Sequence, residues 1–473
     1  MKMYLAGEWT GGSDEREITS PFSGDVVGTV PNATPEQVEA ALAAAVEGAA
    51  VMARTTAFER SEALNRAAAL LEARIEEFAR LLSLEQGKPL AEARGEVTRC
   101  PDILRLSAFE GSQLRGEILP LDAARNGAGK FGMALRVPCG VVVAITPFNF
   151  PLLLVLHKIA PALAVGNAVI LKPASTTPLV ALTLTEVLVE AGIPPLAFQC
   201  ITGGGGDLGR QLCADARVRK ITFTGSTAVG EEITRVAGVK RLSLELGGNA
   251  PLAVLADADI EDAARQVSVA GYANAGQVCI STQRVIVDRS IYADFIDALA
   301  PQVAAIRSGD PFADGTALSA MITRGEAERV ESWIGDAVAG GARVVAGGER
   351  DGSLHAATLV ADVDPSMRIF NEELFGPAVA VTPASGTEDV LELANRSNYG
   401  LSAGVFTRDL DTAMRFGRRL EAGVVCINTA PPWRADLMPY GGVKDSGIGT
   451  EGPRYAVHEM TEVRTVVFRD LER

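Results

Sequence analysis

From residue 140 to 237 the chain alternates short apolar runs with amphipathic stretches, and this alternation narrows its possible folds more than any other feature. The runs 141–145, 168–171, 198–202 and 221–223 are nearly continuous in apolar, often β-branched residues, as strands covered on both faces require. Between them, 152–164, 178–191, 207–214 and 229–237 have helical length and periodicity. Such alternation builds a parallel, doubly wound sheet, so an α/β fold with a Rossmann-like half is expected. A second α/β series follows residue 247, with strands expected at 252–255, 284–287, 378–381, 404–407 and 423–428.

At 473 residues the chain is too long for one hydrophobic core. Ahead of the alternating half, Thr34-Pro35-Glu36-Gln37 reads as a helix start, with Thr34 as N-cap and Gln37 closing a capping box; helix is expected to Arg54 and again over 56–85. Residues 116–138 lack helical period and read as a strand or hairpin. The expected organisation is a cofactor domain of 1–116 and 139–246, a catalytic domain of 247–438, and a small β oligomerisation arm and tail of 117–138 and 439–473. No repeat of solenoid period is present.

A formal charge of -15 repels phosphate backbones and anionic lipid, which argues against nucleic acid or a membrane surface as partner. The most apolar window, 151–171, is interrupted by His157 and Lys158, and residues 1–9 lack the basic start and apolar core of a signal peptide. The chain is expected to be neither exported nor membrane-spanning, and to work in the cytoplasm. Its six cysteines form no CxxC pair and its three histidines form no cluster, so no metal site is expected and the thiols are expected to be reduced.

Several segments carry chemistry. Gly204-x-Gly206-x-x-Gly209 follows a strand and precedes a helix, fitting both a pyrophosphate-binding turn and a merely flexible one. Phe223-Thr224-Gly225-Ser226-Thr227-Ala228-Val229-Gly230 also opens a helix, where free N–H groups suit an anion, and its hydroxyls make it the better phosphate candidate. Cys279 lies in the polar segment Asn274 to Ser281, reachable where the other cysteines sit among apolar or helical neighbours. Glu245 is a carboxylate in an apolar strand that breaks at Gly247-Gly248; a charge there has either a function or an edge facing water.

Thr146-Pro147-Phe148-Asn149-Phe150-Pro151, Leu171-Lys172-Pro173-Ala174-Ser175, Phe223 to Gly230, Leu244 to Asn249, Gly276 to Cys279, Glu372-Glu373-Leu374-Phe375-Gly376-Pro377 and Pro439-Tyr440-Gly441-Gly442-Val443-Lys444-Asp445-Ser446-Gly447 occur in an order that resembles the aldehyde dehydrogenase superfamily over essentially the whole chain. The resemblance implies oxidation of an aldehyde by NAD or NADP through a thioester. It implies Cys279 as nucleophile, Glu245 as the base for thiol and water, and Asn149 as an oxyanion-hole donor beside the Cys279 N–H. A free thiol has a pKa of about 8.5 and needs such activation. It also implies Lys172 and Glu373 as ribose contacts, Phe375 beside the nicotinamide ribose, Ser226 and Gly225 at the pyrophosphate, and Thr146 and Pro147 along the cofactor. Where NAD-preferring members often carry an acid, this chain has Ser175, which removes a repulsion toward a 2'-phosphate, so the reading leans to NADP with some NAD activity. Phe148 stands where a tryptophan is common.

Aligned on these motifs, Arg105, His157 and Arg434 fall where the family lines its substrate tunnel. Arginine there suits a small aldehyde bearing phosphate, phosphonate, sulfonate or carboxylate; the plainer alternative is that these arginines pair with surface acids. A neutral hydroxyaldehyde of the lactaldehyde type stays open, as does a cofactor-binding protein without turnover. The CoA-acylating branch generally lacks the glutamate matched by Glu245. Strands at 116–138 and 461–468 resemble the family's oligomerisation arm, which implies a homodimer or homotetramer.

Overall fold

The structure is a computed structural model and describes residues 1–469. Among these residues the expected alternation becomes an eight-stranded sheet. Its parallel core runs Phe198–Cys200, Ala168–Lys172, Val141–Ile145, Val218–Thr224, Arg241–Glu245. In chain order this is the 3-2-1-4-5 arrangement of a Rossmann-like half, which opens a crevice beyond the carboxyl ends of the first and fourth strands. Met3–Leu5 and Gly447–Ile448 add antiparallel strands on either side.

The second half is a seven-stranded sheet in the order Arg343–Ala346, Thr358–Ala361, Ala378–Ala384, Thr282–Asp288, Ala250–Val254, Ser402–Phe406, Val424–Ile427, parallel apart from the first strand. All five strands expected there form, and the sequence reading lacked Arg343–Ala346 and Thr358–Ala361. Each half has its own apolar core, one around Val155, Leu163 and Phe198, the other around Val285, Phe295 and Phe370.

The helix Pro35–Met52 starts on Thr34 with the capping box in place. The stretch expected as one helix over 56–85 is two, Ala57–Ala73 and Ile75–Gln86, parted at Arg74. A long helix absent from the sequence reading, Leu90–Ser112, follows. Its inner face repeats at helical spacing, but beside Val97, Ile103 and Leu104 it is written in Ala93, Glu96, Cys100, Ser107, Ala108 and Gly111, and Pro101 interrupts it, so the apolar period is faint.

The arm is a three-stranded sheet in which Thr461–Arg469 pairs along its whole length with Lys130–Pro138, and Glu117–Leu119 adds an edge. The segment 439–473, taken as arm and tail, divides: Gly447–Ile448 joins the first sheet and the helix Pro453–Glu459 packs on Leu90–Ser112 before the arm strand begins. Residues 470–473 of that range lie outside the described residues. No helix among the described residues is long and apolar enough to cross a membrane.

Candidate active site

The carboxyl ends of the first sheet's strands face the entry loops of the second, and a cavity of about 890 Å³ lies between them. Lining it are Thr146, Pro147 and Asn149 after the first strand, Lys172 and Ser175 after the second, and Gly225 and Ser226 after the fourth. Cys279, Glu373 and Phe375 close it from the other half. Thus ten residues separated by up to 229 positions in sequence share one wall.

The cavity fits a dinucleotide. Ser226 caps the helix Thr227–Ala237 without a side-chain bond to it, leaving first-turn N–H groups for an anion. Gly205, Gly206 and Gly209 also line the wall, and a Cβ at any of them would meet only open space, so what they contribute is room rather than packing. Lys172 is buried, its one hydrogen-bond partner among the described residues the Pro173 carbonyl at 3.3 Å, and burial lowers its pKa to about 8. Glu373 accepts from the Gly248 N–H at 2.8 Å, and burial raises it to about 7. Phe375 takes a left-handed φ of 49° and meets Phe148 edge-on, ring centroids 5.9 Å apart.

Cys279 sits at the end of a loop held in unusual backbone. Asn274, Ala275 and Gly276 all have positive φ, and a Cβ at Gly276 would strike the Gly376 carbonyl. Such strain persists only where surroundings enforce it. Here Gln86 donates to Asn274 Oδ1 at 3.0 Å, and the Ile322 N–H donates to Gln277 Oε1 at 2.9 Å. The Cys279 thiol lies 3.3 Å from the Tyr440 hydroxyl. Burial pushes it up to about 12, Glu245 and Glu373 add to the rise, and the Tyr440 contact opposes it. All six cysteines are free; Cys279 is half-buried and the other five are buried.

Asn149 donates from Nδ2 to the Gln277 carbonyl at 2.8 Å, which aims the amide at the cysteine loop and leaves its second N–H available. Its own carbonyl accepts from Lys88 at 2.7 Å and from Asn274 at 3.0 Å. Lys88 in turn forms a buried ion pair with Glu96 at 2.6 Å, and Glu96 accepts the N–H groups of Leu152 and Leu153 at the head of the helix Leu153–Ala164. This clamp fixes the Asn149 backbone, and the sequence reading did not include it.

Glu245 is buried, with Oε2 unpaired among the described residues. Burial, and then the charge of Glu451, raise it well above the carboxylate range, against Lys158 and Arg434. Glu451 keeps its charge: burial opposes ionisation, but Lys158 Nζ at 2.6 Å, with His157 and Arg434, outweighs it. Glu245 therefore holds a proton in the resting site more strongly than an ordinary carboxylate, which makes its ionised form a stronger base. The one sequence hint of the Lys158–Glu451 pair is Lys158 itself, a lysine breaking an apolar window.

Of the three expected tunnel cations, the structure brings two together. Arg434 stacks on the Tyr440 ring at 3.8 Å and has Nε buried and unpaired among the described residues. It lies 3.5 Å from His157 and 3.9 Å from Glu451. Burial and then Arg434 lower the His157 pKa, against the opposing Asp436 and Glu451. Arg105 is corrected: it faces solvent on the outer side of Leu90–Ser112, paired with Glu72 and, at 3.5 Å, with Asp102. From that helix it is Arg99, unremarked in the sequence, that reaches inward, to Asp436 at 2.5 Å. Among the described residues no group of histidine, cysteine and acidic side chains could hold a metal.

The aldehyde dehydrogenase family profile matches residues 9–466. The chain is 43% identical to 3-sulfolactaldehyde dehydrogenase of Priestia aryabhattai, over 98% of this chain and 97% of that protein. Among solved structures it is similar to NADP-dependent glyceraldehyde-3-phosphate dehydrogenase from Bacillus halodurans in complex with NADP, with a TM-score of 0.97, 36% identity and 99% of each chain covered. It is likewise similar to aldehyde dehydrogenase 21 from Physcomitrella patens in complex with the reaction product succinate, with a TM-score of 0.96, 37% identity, and 99% of this chain and 98% of that one covered. The chain belongs to the aldehyde dehydrogenase family and is an oxidoreductase that acts on an aldehyde with NAD or NADP.

Proposed function

We propose that the enzyme oxidises a short aldehyde carrying an anionic group, with NADP preferred, to the acid through a thioester on Cys279. The observation that carries the substrate class is Arg434, a nearly buried guanidinium laid on the ring of Tyr440, whose hydroxyl touches the Cys279 thiol. One aromatic ring thus separates a cation from the reacting sulfur, the spacing a two- or three-carbon aldehyde with a terminal anion would bridge. The names of the relatives agree, since a sulfo group, a phosphate and a dicarboxylate product all carry such an anion.

In this reading the ionised form of Glu245 takes the thiol proton, the sulfur attacks the aldehyde carbon, and the carboxyl then releases that proton to solvent. The oxygen of the resulting thiohemiacetal gathers negative charge, stabilised by the free Asn149 amide N–H and the Cys279 backbone N–H. Each such donor is worth on the order of 100-fold to 1,000-fold in rate. Lys172 and Ser175 would hold NADP at the adenosine ribose, Gly225 and Ser226 at the phosphates, Thr146 and Pro147 along its length, and Glu373 and Phe375 at the nicotinamide ribose; when bound it would accept the hydride that leaves the thiohemiacetal carbon as the thioester forms. Glu245 then takes a proton from water, whose oxygen attacks the thioester carbon, and the acid leaves as the Cys279 sulfur departs and regains a proton.

Residues 1–116 and 139–246 would serve as the cofactor domain and 247–438 as the catalytic domain. A cytoplasmic location suits the six free thiols. The arm would pair between copies in a homodimer or homotetramer. Arg434→Ala tests the substrate class: it should cost an anionic aldehyde roughly 10-fold to 100-fold in kcat/KM while a neutral aldehyde of equal length changes less than about twofold. Equal losses on both would discard the anion site and favour a neutral hydroxyaldehyde, which the nearby Glu451 and Asp436 could hydrogen-bond.

A further inference from the structure

Behind Ser175, and not itself on the cavity wall, stands a second cation that no motif marks. Arg16, on the strand Glu15–Thr19 of an N-terminal hairpin, reaches across to the loop after Lys172 and donates from Nη2 to the Ser175 carbonyl at 2.6 Å. Its Nε is buried and unpaired among the described residues. Ser175 is thereby held from two sides, because its own hydroxyl donates to the Gly203 carbonyl at 3.0 Å.

The charge balance here is unusual for so acidic a chain. Neither Arg16 nor Lys172 forms an ion pair among the described residues: Arg16 meets the Ser175 carbonyl, Lys172 the Pro173 carbonyl. The acid that acts on Arg16 is Asp14, whose exposed carboxylate is already engaged by Ser13 at 2.6 Å and Asn32 at 3.0 Å. Burial and then the charge of Arg16 depress the Lys172 pKa, as two cations sharing one region without a counter-charge must. A pair of under-compensated cations flanking a small hydroxyl residue is stable only if solvent or an anion completes it.

We propose that Arg16 is a specificity-determining residue for the cofactor, setting a preference for a 2'-phosphorylated dinucleotide by its charge behind Ser175. The proposal rests on the NADP reading given above. It separates two contributions: Ser175 removes a repulsion, whereas Arg16 adds an attraction.

Isothermal titration of the full-length enzyme with 2',5'-ADP and with 5'-AMP, without any turnover, tests it, alongside NADP and NAD. Arg16→Gln should weaken 2',5'-ADP and NADP by roughly fivefold to tenfold while 5'-AMP and NAD stay within about twofold, and Arg16→Lys should recover most of the loss. The effect should shrink as salt is raised. Equal weakening of both ligands would overturn the proposal, reducing Arg16 to a tether of the Ser175 loop, and so would no weakening of either. A wild-type enzyme that binds 5'-AMP as tightly as 2',5'-ADP would overturn the NADP reading itself. A wild-type preference that survives Arg16→Gln would overturn only the role of Arg16.

Discussion

Lys172 shows how one residue's environment sets a condition on function. Burial, more than its neighbour Arg16, brings its pKa from the ordinary lysine value of 10.5 to about 8. Only the protonated form attracts a phosphate or donates three hydrogen bonds to a ribose, and by linkage a bound anion favours that form. In the free enzyme the charge is nearly complete below about pH 7, half lost near pH 8 and nearly gone above about pH 9, so NADP affinity should hold up to about pH 7 and decline through about pH 8 to 9. Titration calorimetry across that range checks this. Lys172→Met should bind weakly with no step near pH 8, and a wild-type affinity flat to pH 9 would place Lys172 away from the bound cofactor. The same logic of burial separates Glu245 from Glu451: Lys158 beside Glu451 keeps it charged, and that charge helps Glu245 hold its proton.

At the scale of elements, the arm strand Thr461–Arg469 is an open edge nine residues long, with Val463, Val467 and Phe468 exposed and Ile118 exposed on the strand at the far side of the sheet. A long apolar edge invites pairing with another chain. Light scattering at micromolar concentration should return a multiple of the 49.5 kDa chain mass, and Val467→Asp should shift the enzyme toward monomer. A monomeric wild type would contradict the arm's proposed role. These strands were legible because residues 116–138 break helical period and alternate. The helix Leu90–Ser112 was not, because small residues and a buried glutamate write much of its inner face and only Val97, Ile103 and Leu104 carry the apolar period. Arg105 failed for the same reason: without that helix, nothing in the sequence said which side of it faces the site.

At the scale of the molecule, the motifs along the chain were legible and their convergence was largely so, since the strand alternation puts the segments after Ile145, Lys172 and Thr224 at one edge of one sheet. What sequence could not show are pairings between distant side chains that have no local pattern. Lys88 with the Asn149 carbonyl, Arg99 with Asp436, Lys158 with Glu451, and Arg16 with Ser175 each join residues that only the folded chain brings together. Of these, Lys88 fixes the Asn149 backbone and Lys158 keeps charged the Glu451 that acts on Glu245; the central claim is the proposal that the site oxidises an anionic aldehyde through Cys279. The most direct measurement is formation of reduced NADP with a short anionic aldehyde by the wild type and by Cys279→Ala, with mass spectrometry of the quenched wild-type enzyme. The account predicts turnover that falls at least about 1,000-fold in the variant and an acyl adduct on Cys279 in the wild type. Turnover retained in Cys279→Ala would contradict it.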